Sequence, residues 1–282
     1  MSEFLALNFD MQSSPLINIK SIDTKNQSSG WGFGWYPNDD YSAFVIKDTT
    51  LNDDKLSNNI SDLNNFRSTT FICKTKCAAK NYTLHDLQPF SWRFAGKDWL
   101  FMHNGDVKKS ELKKVHTTGL DFLTPLGNTD SELLFCYLLG KIRLSGAKEI
   151  SELHGKTILK WLTEIESFGT MDLVLSDRKT LLVYHGVNSN KEIYLTKIAP
   201  PQNIGRFESD SITMQMDNPK DEYNSCLIAC SEPLTNTKQE LMTAGQLVIA
   251  RRGAIMWQGE YNSVAQDRRT PVSTQESALA TN

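Results

Sequence analysis

Two runs near the start of the chain, Glu3 to Phe9 and Gly32 to Ile46, carry the apolar pattern of strands. Between them lies a polar connection, residues 20–30, rich in Ser, Asn and Gln. Residues 51–66 are crowded with Asn and Asp, yet Leu56, Ile60 and Leu63 recur every three to four positions, which predicts a short helix. A strand over Ser68–Cys77 follows, then one through Trp99–Met102 that ends at the turn His103-Asn104-Gly105. Asp130 opens a helix whose buried face is Leu133, Leu134, Tyr137, Leu138 and Ile142. Thr129-Asp130-Ser131-Glu132 supplies capping oxygens and first-turn acids. A second helix over about 150–167 precedes strands at 171–176, 180–185 and 193–197, with later strands at 225–231 and 246–251. Strands, two helices, then strands again is an α+β order with helices outside stacked sheets.

Composition narrows the picture. At 282 residues and 39% hydrophobic the chain can fill one sizeable core, expected over residues 1–258, with 259–282 a polar, unpatterned tail. A net charge of -3 and a pI near 6.0 give no basic footprint, so nucleic acid is not an expected partner. No apolar run approaches a bilayer-spanning length and no signal-type segment opens the chain, so a cytoplasmic protein without membrane contact is expected. Five cysteines, an odd number, fit thiols in a reducing compartment. The equal spacing of Cys73/Cys77 and Cys226/Cys230 would allow a four-thiolate zinc site. Both pairs lie in strand-like segments, so ordinary buried thiols and no metal or cofactor are expected. Lys108–Lys114 reads as a solvated loop or helix face.

Four segments, in order, carry a specific resemblance: Met1-Ser2-Glu3-Phe4-Leu5, Ser29-Gly30-Trp31-Gly32, Phe101-Met102-His103-Asn104-Gly105 and Gly127-Asn128-Thr129-Asp130-Ser131-Glu132, with a further likeness at Ser231-Glu232-Pro233-Leu234-Thr235. Each is weak alone. Together the chain resembles the class II glutamine amidotransferases of the single-domain bacterial type, whose nucleophile is the residue after the initiator methionine. The resemblance implies a four-layer αββα sandwich, two antiparallel sheets between helices. It implies that Ser2 stands at the nucleophile position, that Asn104 and Gly105 form an oxyanion hole, and that Asp130 binds the substrate's α-ammonium group. Gly30, Trp31, Thr75 and His103 would lie around the substrate, and Ser2, Asn104 and Asp130 would converge on one cleft between the sheets. An N-terminal nucleophile uses its own α-amine, pKa about 7.7 to 8, as base. A plainer role for Asn104-Gly105 is a tight turn, and for Asp130 a helix N-cap.

The departures matter as much. Serine stands where the family has cysteine. Counting back from Gln88-Pro89-Phe90 places Thr75 at the family's substrate-clamping arginine, with Lys74 and Lys76 expected to point to the other strand face and miss the site. The loop before Gly30 reads Thr24-Lys25-Asn26-Gln27-Ser28-Ser29 and lacks the family's glycines. Two readings stay open. One is a pseudo-enzyme that binds a small amide or amine, or a protein partner, in the old glutamine pocket. The other is an amide hydrolase that uses Ser2 on a substrate other than glutamine.

Overall fold

The computed structural model describes residues 2–20, 29–48, 67–77, 83–116, 123–201, 204–216 and 221–261. In chain order the elements are β1 (Ser2–Ser13), β2 (Leu16–Ile19), β3 (Ser29–Trp35), β4 (Phe44–Asp48), β5 (Ser68–Cys77), β6 (Phe90–Phe94), β7 (Lys97–Asn104), α1 (Lys109–His116), α2 (Asp130–Leu144) and α3 (Gly155–Ile165). The strands β8 (Asp172–Ser176), β9 (Thr180–His185), β10 (Tyr194–Ile198), β11 (Gly205–Glu208), β12 (Ile212–Met216), β13 (Cys226–Cys230), β14 (Glu240–Leu241), β15 (Gln246–Arg251) and β16 (Ala254–Glu260) follow. They form a seven-stranded sheet ordered β14-β10-β13-β1-β5-β3-β4, a six-stranded sheet ordered β16-β15-β9-β8-β7-β6 and a small sheet ordered β11-β12-β2. The pairings are antiparallel, for example Leu5 opposite Cys73 and Cys230.

Strand alternation sends successive residues to opposite faces, and three apolar layers result. Phe4 and Ala6 of β1, Ile72 of β5, Leu100 and Met102 of β7 and Val174 of β8 pack between the two large sheets. On the outer face of the six-stranded sheet, Trp99, Phe101, Leu173 and Leu182 meet Leu134, Phe135, Leu138, Ile158 and Leu162 of the helices. On the outer face of the seven-stranded sheet, Leu5, Leu7, Phe33, Phe71 and Cys73 meet Ile17, Phe207 and Met214 of the small sheet. The α+β architecture of stacked antiparallel sheets is thus as expected. Among the described residues the helices cover one side and the small sheet covers the other. The expected helix over 51–66 and the tail from residue 262 lie outside the described residues.

Helix α2 is buried nearly all round because it is central in its layer. Thr129 is its N-cap and accepts the Glu132 N–H at 3.1 Å. Helix α3 is amphipathic, with Ile158, Leu159, Leu162 and Ile165 inward. It is shorter than the expected 150–167 because His154 caps its start, its Nδ1 accepting from Lys156 N at 3.2 Å, and single 3₁₀ turns flank it. The expected strand over 32–46 is in fact the hairpin β3–β4. Pro37-Asn38-Asp39 breaks it, with positive φ at Asn38 and Asp39, residues that tolerate the left-handed region. Lys108–Lys114, read from the sequence as a solvated loop or helix face, falls almost wholly in helix α1, Lys109–His116.

Candidate functional site

The turn after β7 is built around Gly105. Its φ is +139°, and a Cβ there would come within 2.1 Å of the Thr170 carbonyl oxygen, so only glycine fits. Beyond it the Asp106 N–H donates to Thr170 Oγ1 at 3.1 Å and the Val107 N–H donates to Asp130 Oδ2 at 2.7 Å. Asp130 is therefore the first residue inside α2, not its cap. Its carboxylate ties the Asn104-Gly105 turn to the helix start and still lines an open cavity of about 450 Å³ with Asp86, Asp106, Lys109, Asn128 and Thr129. Lys109 Nζ donates to Asn128 O at 3.0 Å. Three carboxylates thus surround an opening large enough for a small ligand.

A second, much narrower gap lies behind the turn, between the large sheets. Phe4, Lys74, Met102, Asn104, Asp172 and Val174 line it. The Lys74 ammonium donates to Gln88 Oε1 at 3.1 Å and to the His103 carbonyl, and Gln88 Oε1 also accepts the His103 N–H at 2.6 Å. Gly32 lets this segment approach: a Cβ there would sit 2.1 Å from the Gln88 carbonyl oxygen.

Strand parity separates the expected site residues. Asn104 shares the inter-sheet face of Leu100 and Met102. His103 points the other way, toward the helices, where Nδ1 meets Ser131 Oγ at 2.9 Å and Nε2 faces Thr170 O at 3.3 Å. Burial first, and the nearby Lys74 ammonium second, push the His103 imidazole down to about 4 against the pull of Asp130 and Asp172, so it is neutral near neutral pH. Thr75 and Trp31 sit opposite each other in the β5–β3 ladder. Both fall on the outer face of that sheet, with Cys73 and Phe33, away from Asn104. The expectation that Thr75 faces the cleft while Lys74 does not is reversed: Lys74 enters the gap and Thr75 is turned from it. Gly30 pairs with Lys76, as does Ser2, so both lie at one end of the same ladder, two residues from positions that reach the gap.

Asp172 and His185 were not legible as site residues. They are register neighbours of Asn104, which is opposite Asp172, which in turn is opposite His185. A polar residue at the matching ends of the apolar strands β8 and β9 was the available signal, but pairing had to be known to use it. Asp172 Oδ1 accepts from His185 Nδ1 at 2.8 Å and from Gly186 N at 3.1 Å, while Oδ2 accepts from Ser189 Oγ at 2.5 Å. Cys73, Cys226 and Cys230 are buried thiols pushed up in pKa by that burial, and no cluster of metal-ligating side chains occurs among the described residues. No described helix is long and apolar enough to cross a membrane.

The sequence matches the family Glutamine amidotransferases class-II over residues 1–274. An uncharacterized protein of Methanocaldococcus jannaschii is 25% identical over 260 residues, covering 91% of this chain and 71% of that one. The fold is similar to the crystal structure of a predicted glutamine amidotransferase from Pseudomonas aeruginosa, at 19% identity and a TM-score of 0.70, over 90% of this chain and 99% of that one. It is also similar to the glutamine phosphoribosylpyrophosphate amidotransferase of B. subtilis, at 11% identity and a TM-score of 0.55, where the match covers 92% of this chain and 49% of that one. The ordered motifs, the antiparallel sandwich and the family match over nearly the whole length agree, and the chain belongs to the class II glutamine amidotransferases.

Proposed function

We propose that this chain is a pseudo-enzyme toward glutamine, a class II amidotransferase scaffold that binds an amine-bearing small molecule or a protein amino terminus. The observation that carries this reading is the division of the site. The open cavity is walled by Asp86, Asp106 and Asp130 against one ammonium, Lys109, which is bonded to Asn128, whereas the gap beside Asn104 is filled by the Lys74 ammonium and its bonds to Gln88 and His103. Three carboxylates favour an ammonium over a carboxylate by simple Coulomb attraction. Serine at position 2 is a far poorer nucleophile than a thiol unless a base takes its proton.

Thermal-shift titration tests the binding half. A ligand that binds only the folded state at 100 times its Kd stabilises by about 2.7 kcal/mol. Small primary amines and amino-acid amides are expected to raise the melting temperature and glutamate is not. Asp130→Asn should remove most of the amine effect. Equal stabilisation by glutamate would count against the reading. The catalytic half is tested by ammonia release from glutamine, expected to match the background of Ser2→Ala; release clearly above that control would end the pseudo-enzyme reading.

A second reading, an amide hydrolase that uses Ser2 on an amine-bearing substrate without an α-carboxylate, is favoured by one observation: a carboxylate-imidazole pair, Asp172 and His185, begins one strand away from Asn104.

A further inference from the structure

Among the described residues the two large sheets end at β14, β4, β16 and β6. β14 is two residues long, and β4 and β6 carry charges, Lys47 and Asp48 on one and Arg93 on the other. β16 differs from all three. It is seven residues long, has a neighbour on one side only, and its run Ala254-Ile255-Met256-Trp257-Gln258-Gly259 holds no charge. Proteins ordinarily blunt such an edge with charged side chains, proline or brevity. We propose that β16 is an interface to which a second copy of this chain adds its own β16, antiparallel about a two-fold axis at Gln258.

Backbone parity sets the register. The Tyr261 N–H donates to the Gly245 carbonyl at 3.1 Å, so Tyr261, Gly259 and Trp257 turn their backbone polar groups toward β15. Gln258 and Glu260 therefore turn theirs to the open side. The ladder is regular from Gln246 opposite Glu260 to Ile249 opposite Trp257, and shifts only beyond it. Met256 is the extra residue at the shift and has no partner in β15. An antiparallel match about Gln258 sets Gln258 opposite itself and Met256 opposite Glu260 of the second copy. It joins the two six-stranded sheets into one.

The side chains suit this occupant. Ile255 is 42% exposed, Met256 65% and Tyr261 43%, and Tyr261 and Val187 meet over Gly245 at the same margin. Charge favours a copy in the antiparallel sense. Exposed Arg252 stands before β16 and Glu260 ends it, so antiparallel self-pairing brings the basic end of each strand toward the acidic end of the other. A parallel match would set like beside like. Residues 262–282 are polar and lack the alternation of a strand, which makes them a poorer match for this edge than β16 itself.

The edge is also held firm. Trp257 packs on the helix-covered face, and a Cβ at Gly155 or Gly259 would come within 2.1 or 2.6 Å of its ring, so two glycines make room for the indole. The His154 ring meets it edge-on at 6.4 Å between centroids. A strand anchored in this way presents its outward groups already aligned, and loses little conformational freedom on pairing.

Sedimentation velocity of the full chain reads the association. A concentration-dependent dimer is expected, with a Kd on the order of 10 µM, because a junction of two strands buries less than a standard interface. A chain that stays monomeric at about 100 µM overturns the proposal and leaves the edge to residues 262–282 or to a different protein. Gln258→Pro removes one outward N–H from each copy at a position where an edge strand tolerates proline, and should weaken the dimer by on the order of tenfold or more. Met256→Glu, facing Glu260 of the other copy, should weaken it, and Met256→Lys should tighten it. A dimer that none of these three folded variants changes forms elsewhere and overturns the proposal. Gln258→Cys tests the axis. Directly opposed residues of such a pair lie about 5.5 Å apart at Cα, within disulfide range, so mild oxidation should link the two copies, whereas Arg252→Cys should not link them. Should Gln258→Pro fail to fold, the Met256 pair and the cysteine variant decide, and absence of the Gln258→Cys link overturns the register.

Discussion

Replacing Thr75 by arginine is expected to unfold the protein, not to build a carboxylate clamp. Thr75 is 0% exposed on the face of β5 that packs toward the small sheet, level with Glu3 on one side and Trp31 on the other. The neighbouring Glu3 carboxylate is already engaged by Lys191 and the Ser231 hydroxyl, so a guanidinium buried there without a free partner costs roughly 3–5 kcal/mol, and overpacking adds roughly 1–3 more. The sum approaches the whole stability of an ordinary domain, about 5–15 kcal/mol. Thr75→Val is the control. The Thr75 hydroxyl donates to the Glu3 carbonyl at 3.4 Å, so removing it in a side chain of the same shape should cost about 1–3 kcal/mol, well short of the arginine change. Urea denaturation measures both, and a Thr75→Arg protein as stable as the parent would show that the strand is out of register as described. An attempt to restore glutamine chemistry should pair Ser2→Cys with Lys74→Arg, because Lys74 is the cation on the inner face.

Mild acid is expected to destabilise the protein through His103. In the folded state its imidazole is pushed down to about 4 by burial, whereas in the unfolded chain it titrates near its ordinary 6.5. Between those values the unfolded state binds more protons, so stability falls as pH drops from about 6.5 and the loss is complete below about 4. At 1.36 kcal/mol per pH unit this amounts to about 3 kcal/mol. Other groups contribute with both signs. Glu149, held below its ordinary range by the Lys97 hydrogen bond, adds to the acid loss, while Glu166 and Asp177, raised by burial, oppose it. The parent is therefore best compared with His103→Gln, which can still bond Ser131 but cannot titrate. Stability measured by urea melts from pH 7.5 to 4 should decline less steeply in the variant; parallel curves would refute the assignment to His103.

The order of elements was readable from the sequence because local patterns fixed it. The apolar face of α2, the capping run at Thr129 and the apolar runs of β1 and β5 each carry their own signal. Which face of a strand meets which layer is not local. Both faces of β5 are buried, so no alternation of polar and apolar residues marked Lys74 as facing the gap and Thr75 as facing away. Counting positions from Gln88 gave a register in which parity was assumed. The same limit hid Asp172 and His185, whose relation to Asn104 exists only through the pairing of β7, β8 and β9. The hairpin at Pro37-Asn38-Asp39 is a different case. Its turn chemistry was present in the sequence and was overridden by the apolar run on either side.

The start of β1 is fastened from far down the chain: the Phe4 N–H donates to Ser231 Oγ at 2.8 Å, and that hydroxyl donates to Glu3 Oε2 at 2.7 Å, 228 residues away. A central strand one of whose two partners, β13, is made late in the chain must wait on the ribosome with that edge open. Ordering of the position 2 end is then coupled to completion of the sheet, so truncated translation products carry no formed site. Slow, non-local closure of this kind exposes a strand edge to aggregation during synthesis, and expression at reduced temperature or with chaperones should raise the soluble yield.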